Sequence, residues 1–536
     1  MRKLLVANLG EIAVRIFRTC RRLGIATVAV APPDDRGSLH ARSADELVGI
    51  TGYLASEEHI RAAKQAGADA IHPGYGFLAE NPAFADAVEA AGLVFCGPSA
   101  DALRIGGDKL AAKEIARQAG VPVMPTGEPG EIGLPLVVKA AAGGGGRGMR
   151  VVRHPDELAG AVEAARREAA AAFGDDRVFC ERFVDRPRHV EVQILGDAAG
   201  GVVALGERDC SIQRRHQKVL EESPSPALDD DLRTAISGAA VTFARAIGYR
   251  SAGTAEFMVD GRDFWFLELN GRIQVEHPVT ELVIGLDLVE QQLHIAAGEP
   301  LAADEYEASG HAIEVRLYAE DPRTFLPQTG TITRLRFPTG VRVDAGIDEG
   351  DEIGVAYDPL LAKLIAHEET RRDALRRLEA ALSETEVEGL TTNLPFLRWL
   401  VSHPLVREGR TTTAFLVDHP PLSQPSPQTA ARPWHGSWRA NLSPPSPAPP
   451  PDIESASHKP GGGVEESVLS AQMPGTVVSV LVSDGDTVRA REPLLVLEAM
   501  KMETPVVSPY DATVRRVHVV EGDRVAAGAV LVELEE

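Results

Sequence analysis

The chain has 536 residues, 44% hydrophobic and 25% charged, too long for one core and suited to three or four units at roughly 150 residues per domain. A net charge of −23 argues against nucleic-acid or membrane-surface partners, since an acidic surface repels phosphate backbones and anionic lipid. Cys20, Cys96, Cys180 and Cys210 form no CxxC pair, which fits reduced thiols in a cytoplasmic protein. The apolar start, Met1–Ala7, is broken at Asn8 and Glu11, so it is no secretory signal, and no run reaches the roughly 20 apolar residues of a transmembrane helix.

Leu4–Ala7 reads as a buried strand, Ile12–Leu23 as a helix with Ile12, Ile16, Cys20 and Leu23 on one face, and Ala26–Ala31 as the next strand. This βαβ unit opens a doubly wound sheet. A second unit runs from Asp69–Ile71 through the loop His72–Asn81 and a helix to Ala91, then to Leu93–Cys96.

Leu136–Ala140 is a strand carrying Lys139, and Arg150–Arg153 is another. Between them, Gly143–Gly146 and Gly148 give a loop whose backbone N–H groups suit a triphosphate lid; read alone, a flexible hairpin is the lesser alternative. Arg188–Gln193 alternates as a strand, and Glu207–Lys218 gathers Arg208, Arg214, Arg215, His216 and Lys218. That cluster reads as an anion site or as a solvated loop paired with Glu221 and Glu222. Glu256 and Glu268 follow on apolar strands beside Phe257, Trp265 and Phe266. Buried carboxylates need a partner or a metal, and with Asn270 they supply hard oxygen ligands for Mg²⁺.

Lys139, Gly143–Gly148, Arg208–Lys218 and Glu268–His277 together resemble the ATP-grasp core of biotin carboxylase, a likeness that runs from about residue 3 to 418 through Ala319–Pro322, Arg342 and Tyr357–Lys363. Downstream, Ala312–Tyr318, Thr331–Phe337 and Val341–Ala345 read as strands, and Leu375, Leu378 and Leu382 mark an amphipathic helix. Three departures stand out from the family pattern: Leu9 in place of Arg, Gly271 in place of Thr or Pro (which should loosen its strand), and no connecting helix between Pro125 and Leu134.

Residues 420–466 hold 12 of the 37 prolines and read as an extended linker, with Trp434 and Trp438 as a local hydrophobic hook. Beyond it one pattern occurs twice, 37 residues apart: Thr476, Val477, Gly485 and Val488 recur as Thr513, Val514, Gly522 and Val525. Alternation broken by glycine turns predicts a small pseudo-symmetric β sandwich or flattened barrel. Glu498–Glu503 lies where one copy hands over to the other, so Lys501 should occupy an exposed hairpin tip. An exposed lysine is ordinarily a solvated charge, but Ala499-Met-Lys-Met502 is similar to the biotinyl-domain motif of biotin-dependent carboxylases.

The resemblance implies an α/β biotin carboxylase body, with a Rossmann-like domain at 1–108, an ATP-grasp domain at 109–307 and an α+β domain at 308–419. A linker at 420–466 and an all-β biotinyl domain at 467–536 complete it. By the same resemblance biotin sits on Lys501, attached by a biotin protein ligase. ATP is held by Lys109, Lys139, Gly145, Gly146, Glu181, Arg182, Phe183, Val184, His189, Gln213 and His216, and Mg²⁺ or Mn²⁺ by Glu256, Glu268 and Asn270. Lys218, Arg272 and Val275 bind bicarbonate, with Gln274 among the cofactor-binding residues; Glu276 deprotonates bicarbonate, and Arg342 stabilises negative charge on the biotin ring. No carboxyltransferase region follows, so the implied role is the α chain of an oligomeric acyl-CoA carboxylase whose separate β subunit meets the acyl-CoA. The alternatives are a subunit of a two-chain pyruvate carboxylase, another ATP-grasp ligase, or an inactive carrier.

Overall fold

The computed structural model describes residues 1–127, 129–141, 149–214, 217–303, 305–421, 468–499, 502–526 and 528–535. The linker with Trp434 and Trp438, the glycines at 143–146 and 148, His216 and Lys501 lie outside the described residues. The described residues fall into two units, one of Met1–Gly354 with Pro359–Pro421 and another holding the strands from Val468 onward.

The first unit opens with a five-stranded parallel sheet in the order Glu46–Gly49, Ala26–Ala31, Lys3–Val6, Ala70–His72, Val94–Phe95. The order reverses beside Lys3–Val6, and in doubly wound sheets ligands collect in the crevice beyond the strand ends at that point. Here two loops meet in that crevice: Asn8 Nδ2 donates to the carbonyls of Pro73 (2.8 Å) and Tyr75 (2.7 Å). Helix Gly10–Leu23 buries Ile12, Ile16 and Cys20 as its spacing predicts. Leu9 is its N-cap and supplies no side-chain cap.

A four-stranded sheet follows, ordered Thr126–Gly127, Val178–Arg182, Leu136–Ala140, Arg150–Val152, with helix Leu158–Phe173 packed against it. The segment between Pro125 and Leu134 is not devoid of helix: a single turn, Pro129–Ile132, occupies it. The largest sheet is antiparallel throughout and eight-stranded. Its order is Asp263–Asn270, Ser251–Asp260, Arg188–Gly196, Val202–Arg214, Gln217–Ser223, His311–Tyr318, Leu360–Glu368, Arg342–Ala345. Arg188–Gly196 sits inside this sheet and is buried on both faces from Val190 on, so the alternation read from its sequence does not mark a solvated side. The segment read as one strand, Thr331–Phe337, is broken into Gly330–Thr331 and Arg334–Arg336, which pair with different partners.

The second unit is two four-stranded sheets. The duplicated sequence explains its layout, because each copy's long strand pairs with the other copy's short one. Gly475–Val480 takes Arg524–Val525, and Ala512–Val517 takes Thr487–Val488. The equivalent turn glycines, Gly485 and Gly522, both have positive φ (93° and 92°), a region closed to most side chains. Pro493–Ala499 and Met502–Val507 are antiparallel neighbours, with Ala499 opposite Met502. The strands on either side of Lys501 are therefore partners.

Candidate active site

The carboxylates and cations picked out in the sequence converge on one face of the eight-stranded sheet. Glu256 and Glu268 are direct cross-strand partners, and a bulge between Glu256 and Phe257 resets the register beside them. Such bulges re-aim a side chain without ending the strand. Lys218, near the start of Gln217–Ser223, donates to Glu191, to Glu256 Oε1 (2.9 Å) and to Glu276 Oε1 (2.7 Å). Burial alone would strip its proton, but three carboxylates more than reverse that and hold its pKa well above the lysine norm.

Glu276 is the residue before helix His277–Ile284 and is fully buried. Burial favours its neutral form, yet Lys218 and Arg316 (Nη2 to Oε2, 2.9 Å) outweigh that and keep it ionised, its pKa well below the carboxylate range. Glu256 is likewise held low against burial by Lys218 and His189, whose Nε2 lies 3.0 Å from Oε2. His189 in return has a raised pKa, because the Glu256 charge outweighs burial. Asn270 donates from Nδ2 to Glu256 Oε1 (2.9 Å) and accepts from Arg272 at Oδ1 (3.0 Å). Arg272 donates also to Gln274 Oε1 (2.8 Å) and lies 3.0 Å from Glu80 Oε2. Val275 has its carbonyl fixed by Lys363 Nζ at 2.6 Å.

Gly271 does not loosen a strand; it lies just past one. A Cβ there would stand 2.8 Å from Leu103 Cδ2, so its missing side chain admits a close approach. Its N–H donates to Glu80 Oε1 (3.1 Å). The cluster at 207–218 also divides. Arg208 is wholly buried and donates to Glu191 (2.6 Å), Gln193 (2.7 Å), Thr280 (2.8 Å) and Thr254 (3.1 Å), a structural role. Arg214 is taken by Glu320 at 2.6 Å. Of these described residues Lys218 alone donates to Glu256 and Glu276, and Gln213 donates to the Cys210 carbonyl (2.9 Å).

A second basic group is made by Lys139 of the four-stranded sheet and by Lys109 and Lys113 of helix Lys109–Gln118. Lys139 donates to Glu181 Oε2 (2.5 Å), whose other oxygen receives Lys113, and Lys109 Nζ is 3.2 Å from Glu268 Oε2. Burial, then the charge of Lys109, pulls Lys139 down to about 8, and Lys113 is lowered strongly by burial and by its two lysine neighbours. Lys113 escaped the sequence reading, although its spacing of four from Lys109 puts both on one helix face. Arg182 and Phe183 line a cavity of about 450 Å³ with Ile132, Leu134, Pro135, Asp185, Arg186 and Asp260. Val184, half-buried, continues that segment.

Arg342 stands apart, on its own edge strand. It donates to Glu281 Oε2 (2.7 Å) and Asp344 Oδ2 (2.8 Å), and Arg15 shares Glu281 at 2.8 Å. Despite burial, these carboxylates raise the Arg342 pKa and Asp344 is held very low.

The oxygen donor set fits a hard divalent cation. Glu256 and Glu268 face each other across the ladder, and Asn270 brings an amide oxygen two residues along the same strand.

Comparison with known proteins agrees with this layout. The chain matches the family models for the biotin carboxylase N-terminal domain (residues 1–103), the carbamoyl-phosphate synthase L chain ATP-binding domain (108–304), the biotin carboxylase C-terminal domain (314–418) and the biotin-requiring enzymes (467–534). It is 49% identical over 441 residues to the biotin carboxylase of Halalkalibacterium halodurans, covering 78% of this chain and 98% of that one. It is 46% identical over 464 residues to the propionyl-CoA carboxylase alpha chain of Ruegeria pomeroyi, covering 78% and 68%. Among solved structures, the biotin carboxylase domain of Hydrogenobacter thermophilus 2-oxoglutarate carboxylase, in complex with MgADP, ADP and bicarbonate, superposes with a TM-score of 0.76 at 43% identity, covering 78% of this chain and 98% of that one. An ATP-binding body with buried carboxylates knotted around one lysine, joined to a biotin-type β domain, thus belongs to the biotin carboxylase family, as an ATP-dependent ligase that carries its own biotin domain.

Proposed function

We propose that the chain carboxylates biotin carried on Lys501 at the expense of ATP and bicarbonate, and that it is the α subunit of an acyl-CoA carboxylase whose carboxyltransferase is a separate polypeptide. The observation that carries the catalytic half is Lys218, with Glu191, Glu256 and Glu276 all against its ammonium. A bicarbonate anion entering between Lys218 and Arg272 finds two fixed cations and a carboxylate, Glu276, beside them. The likeness to the Ruegeria alpha chain supports the acyl-CoA half.

Lys109 and Lys139 meet the phosphate charge of ATP, with His189 and the 181–184 segment beside them, as do Gly145, Gly146 and His216 from the segments outside the described residues. Glu256, Glu268 and Asn270 would hold Mg²⁺ or Mn²⁺, which supplies charge neutralisation on the phosphates. Lys218 and Arg272 orient bicarbonate, and the Val275 backbone, pinned by Lys363, adds a fixed edge. Glu276 accepts the bicarbonate proton as an oxygen of that anion attacks the γ-phosphoryl group, and the bond to the β-phosphate breaks to release ADP and leave carboxyphosphate. Biotin, when attached, would supply the urea nitrogen that accepts the carboxyl group, with the phosphate released from carboxyphosphate taking that nitrogen's proton. Arg342 presents a permanent charge where negative charge develops, preorganised by Glu281 and Asp344.

Among the described residues no helix is long and apolar enough to cross a membrane, and the four cysteines are buried free thiols, which suits the cytoplasm. The test is purification from a host with an active biotin protein ligase. Lys501 should carry one biotinyl amide by peptide mass, and ADP release should depend on bicarbonate. With its co-purified partner, avidin-sensitive fixation of labelled bicarbonate into propionyl-CoA or acetyl-CoA is expected. Fixation into pyruvate alone would overturn the acyl-CoA assignment, and bicarbonate-independent ADP release would overturn the catalytic one.

A further inference from the structure

Behind Glu276 lies a second group of acids that the mechanism does not use. Arg316, on strand His311–Tyr318, is almost wholly buried. Its Nη2 lies 2.9 Å from Glu276 Oε2 and 2.5 Å from Glu221 Oε1. Glu221, on Gln217–Ser223, is fully buried, and its register partner across the ladder is Glu314, equally buried. Neither Glu314 oxygen has a hydrogen-bond partner. Two carboxylates directly opposed in a dry sheet cannot both be charged without severe repulsion.

We propose that Arg316 and Glu221 are positioning residues for Glu276: Arg316 is shared between them, and whether Glu221 carries a proton decides how much of the guanidinium charge remains on Glu276. The proposal rests on the reading of Glu276 as the group that accepts the bicarbonate proton.

The surroundings of Glu221 support this. Arg316 faces it from the neighbouring strand, as does Glu314; Lys218 is on its own strand, and Glu276 comes from the turn before helix His277–Ile284. Cys210, from Val202–Arg214, and Lys363, from Leu360–Glu368, complete the group through their fields on Glu221 and Glu314. Burial pushes Glu221 up to about 7 against the pull of Arg316, and Glu314, with burial less offset, is raised well above the carboxylate range. Glu314 therefore stays neutral while Glu221 changes charge near neutrality. With Glu221 protonated, Arg316 and Lys218 both neutralise Glu276, which is then a weak base. With Glu221 ionised, Arg316 is divided, and Glu276 gains proton affinity.

The experiment follows bicarbonate-dependent ADP release by the biotinylated full chain from pH 5.5 to 8.5, at fixed bicarbonate-ion concentration and saturating ATP. The wild-type kcat should rise through an ionisation at about 7. Glu221→Gln, permanently uncharged, should lose that rise, whereas the neutral-for-neutral Glu314→Gln should keep it. An unchanged profile in Glu221→Gln, or equal loss of rate at every pH, would overturn the proposal. Infrared difference spectra of the unmodified protein give a check that needs no variant: a carboxylic-acid C=O band should vanish over the same interval, and its absence would also overturn the idea. If Glu276→Gln kept full activity, the underlying mechanism would fail instead, whatever the profile of Glu221→Gln.

Discussion

Lys218 and Glu276 come from separate elements, 58 residues apart, and meet with Nζ 2.7 Å from Oε1 inside a buried field of charge. The same ammonium also holds Glu191 and Glu256, so its removal leaves three carboxylates short of a cation. Losing one partner of a buried pair costs about 3–5 kcal/mol. Lys218→Met should therefore both abolish bicarbonate-dependent ADP release and lower the thermal midpoint. Glu276→Gln keeps a polar acceptor for Lys218 and Arg316, and should lose about 10²–10⁴-fold in kcat with a much smaller change in melting. Calorimetry and steady-state kinetics on the two variants separate the effects; equal destabilisation by both would contradict the asymmetry.

How far this site could be read from residues alone depends on sequence distance. Glu256, Glu268 and Asn270 were legible because strand alternation and a hairpin put them together locally, and Lys218 because its basic neighbourhood is dense. The role of Arg208 was not: in sequence it resembles Arg214 and Lys218, and its complete burial against Glu191, Gln193, Thr254 and Thr280 emerges only when two other strands and a helix close around it. Arg316 and Glu221 were hidden for the same reason, since their meeting depends on strand register. Gly271 misled because glycine was judged by strand propensity, whereas here the approach of Leu103 selects it. The duplicated β unit was the most legible part, because a repeat exposes its own symmetry.

Arg342 and Arg15 share Glu281, so removing Arg342 does not orphan that carboxylate. Asp344 also keeps Arg18 at 3.0 Å. Arg342→Ala should consequently fold normally and bind ATP as the parent does. Transfer to biotin should fall about 10²–10³-fold, the scale for loss of one preorganised charge donor. Carboxylation of free biotin measured beside ATP affinity tests this, and a parallel collapse of both would assign Arg342 to the scaffold.

Lys139 is lowered to about 8 by burial and by Lys109, so above that pH the free enzyme presents a neutral amine to an incoming triphosphate. Nucleotide binding takes up a proton there, and the Kd for ATP should rise about tenfold per pH unit once the group is largely deprotonated. Titration calorimetry between pH 7 and 9.5 should show this rise, with the proton uptake visible as a dependence on buffer ionisation enthalpy. Lys139→Arg, charged throughout, should bind with a flat profile. Arginine's failure to flatten it would move the titration to another group.

His72 ties the stability of the first unit to pH. It is fully buried as the last residue of its strand; its Nδ1 accepts the Gly74 N–H at 3.0 Å and its Nε2 faces Gln292 Oε1 at 3.2 Å, the pattern of a neutral ring. Burial lowers its pKa to about 4, with a smaller contribution from Arg15, against an ordinary value of 6.5. Between those two values the unfolded chain binds a proton that the folded chain refuses, so this group's contribution to stability rises with pH across the interval and levels off above it. From pH 7 to 5 this one residue's contribution drops by about 2 kcal/mol. Buried His40, His59 and His277, also lowered by burial, act in the same direction. Urea unfolding of the first unit should show wild type losing more stability than His72→Gln over that range. If the two curves ran parallel, the imidazole would be charged in the folded state, and the crevice between the His72 and Asn8 loops would have to contain a counter-charge.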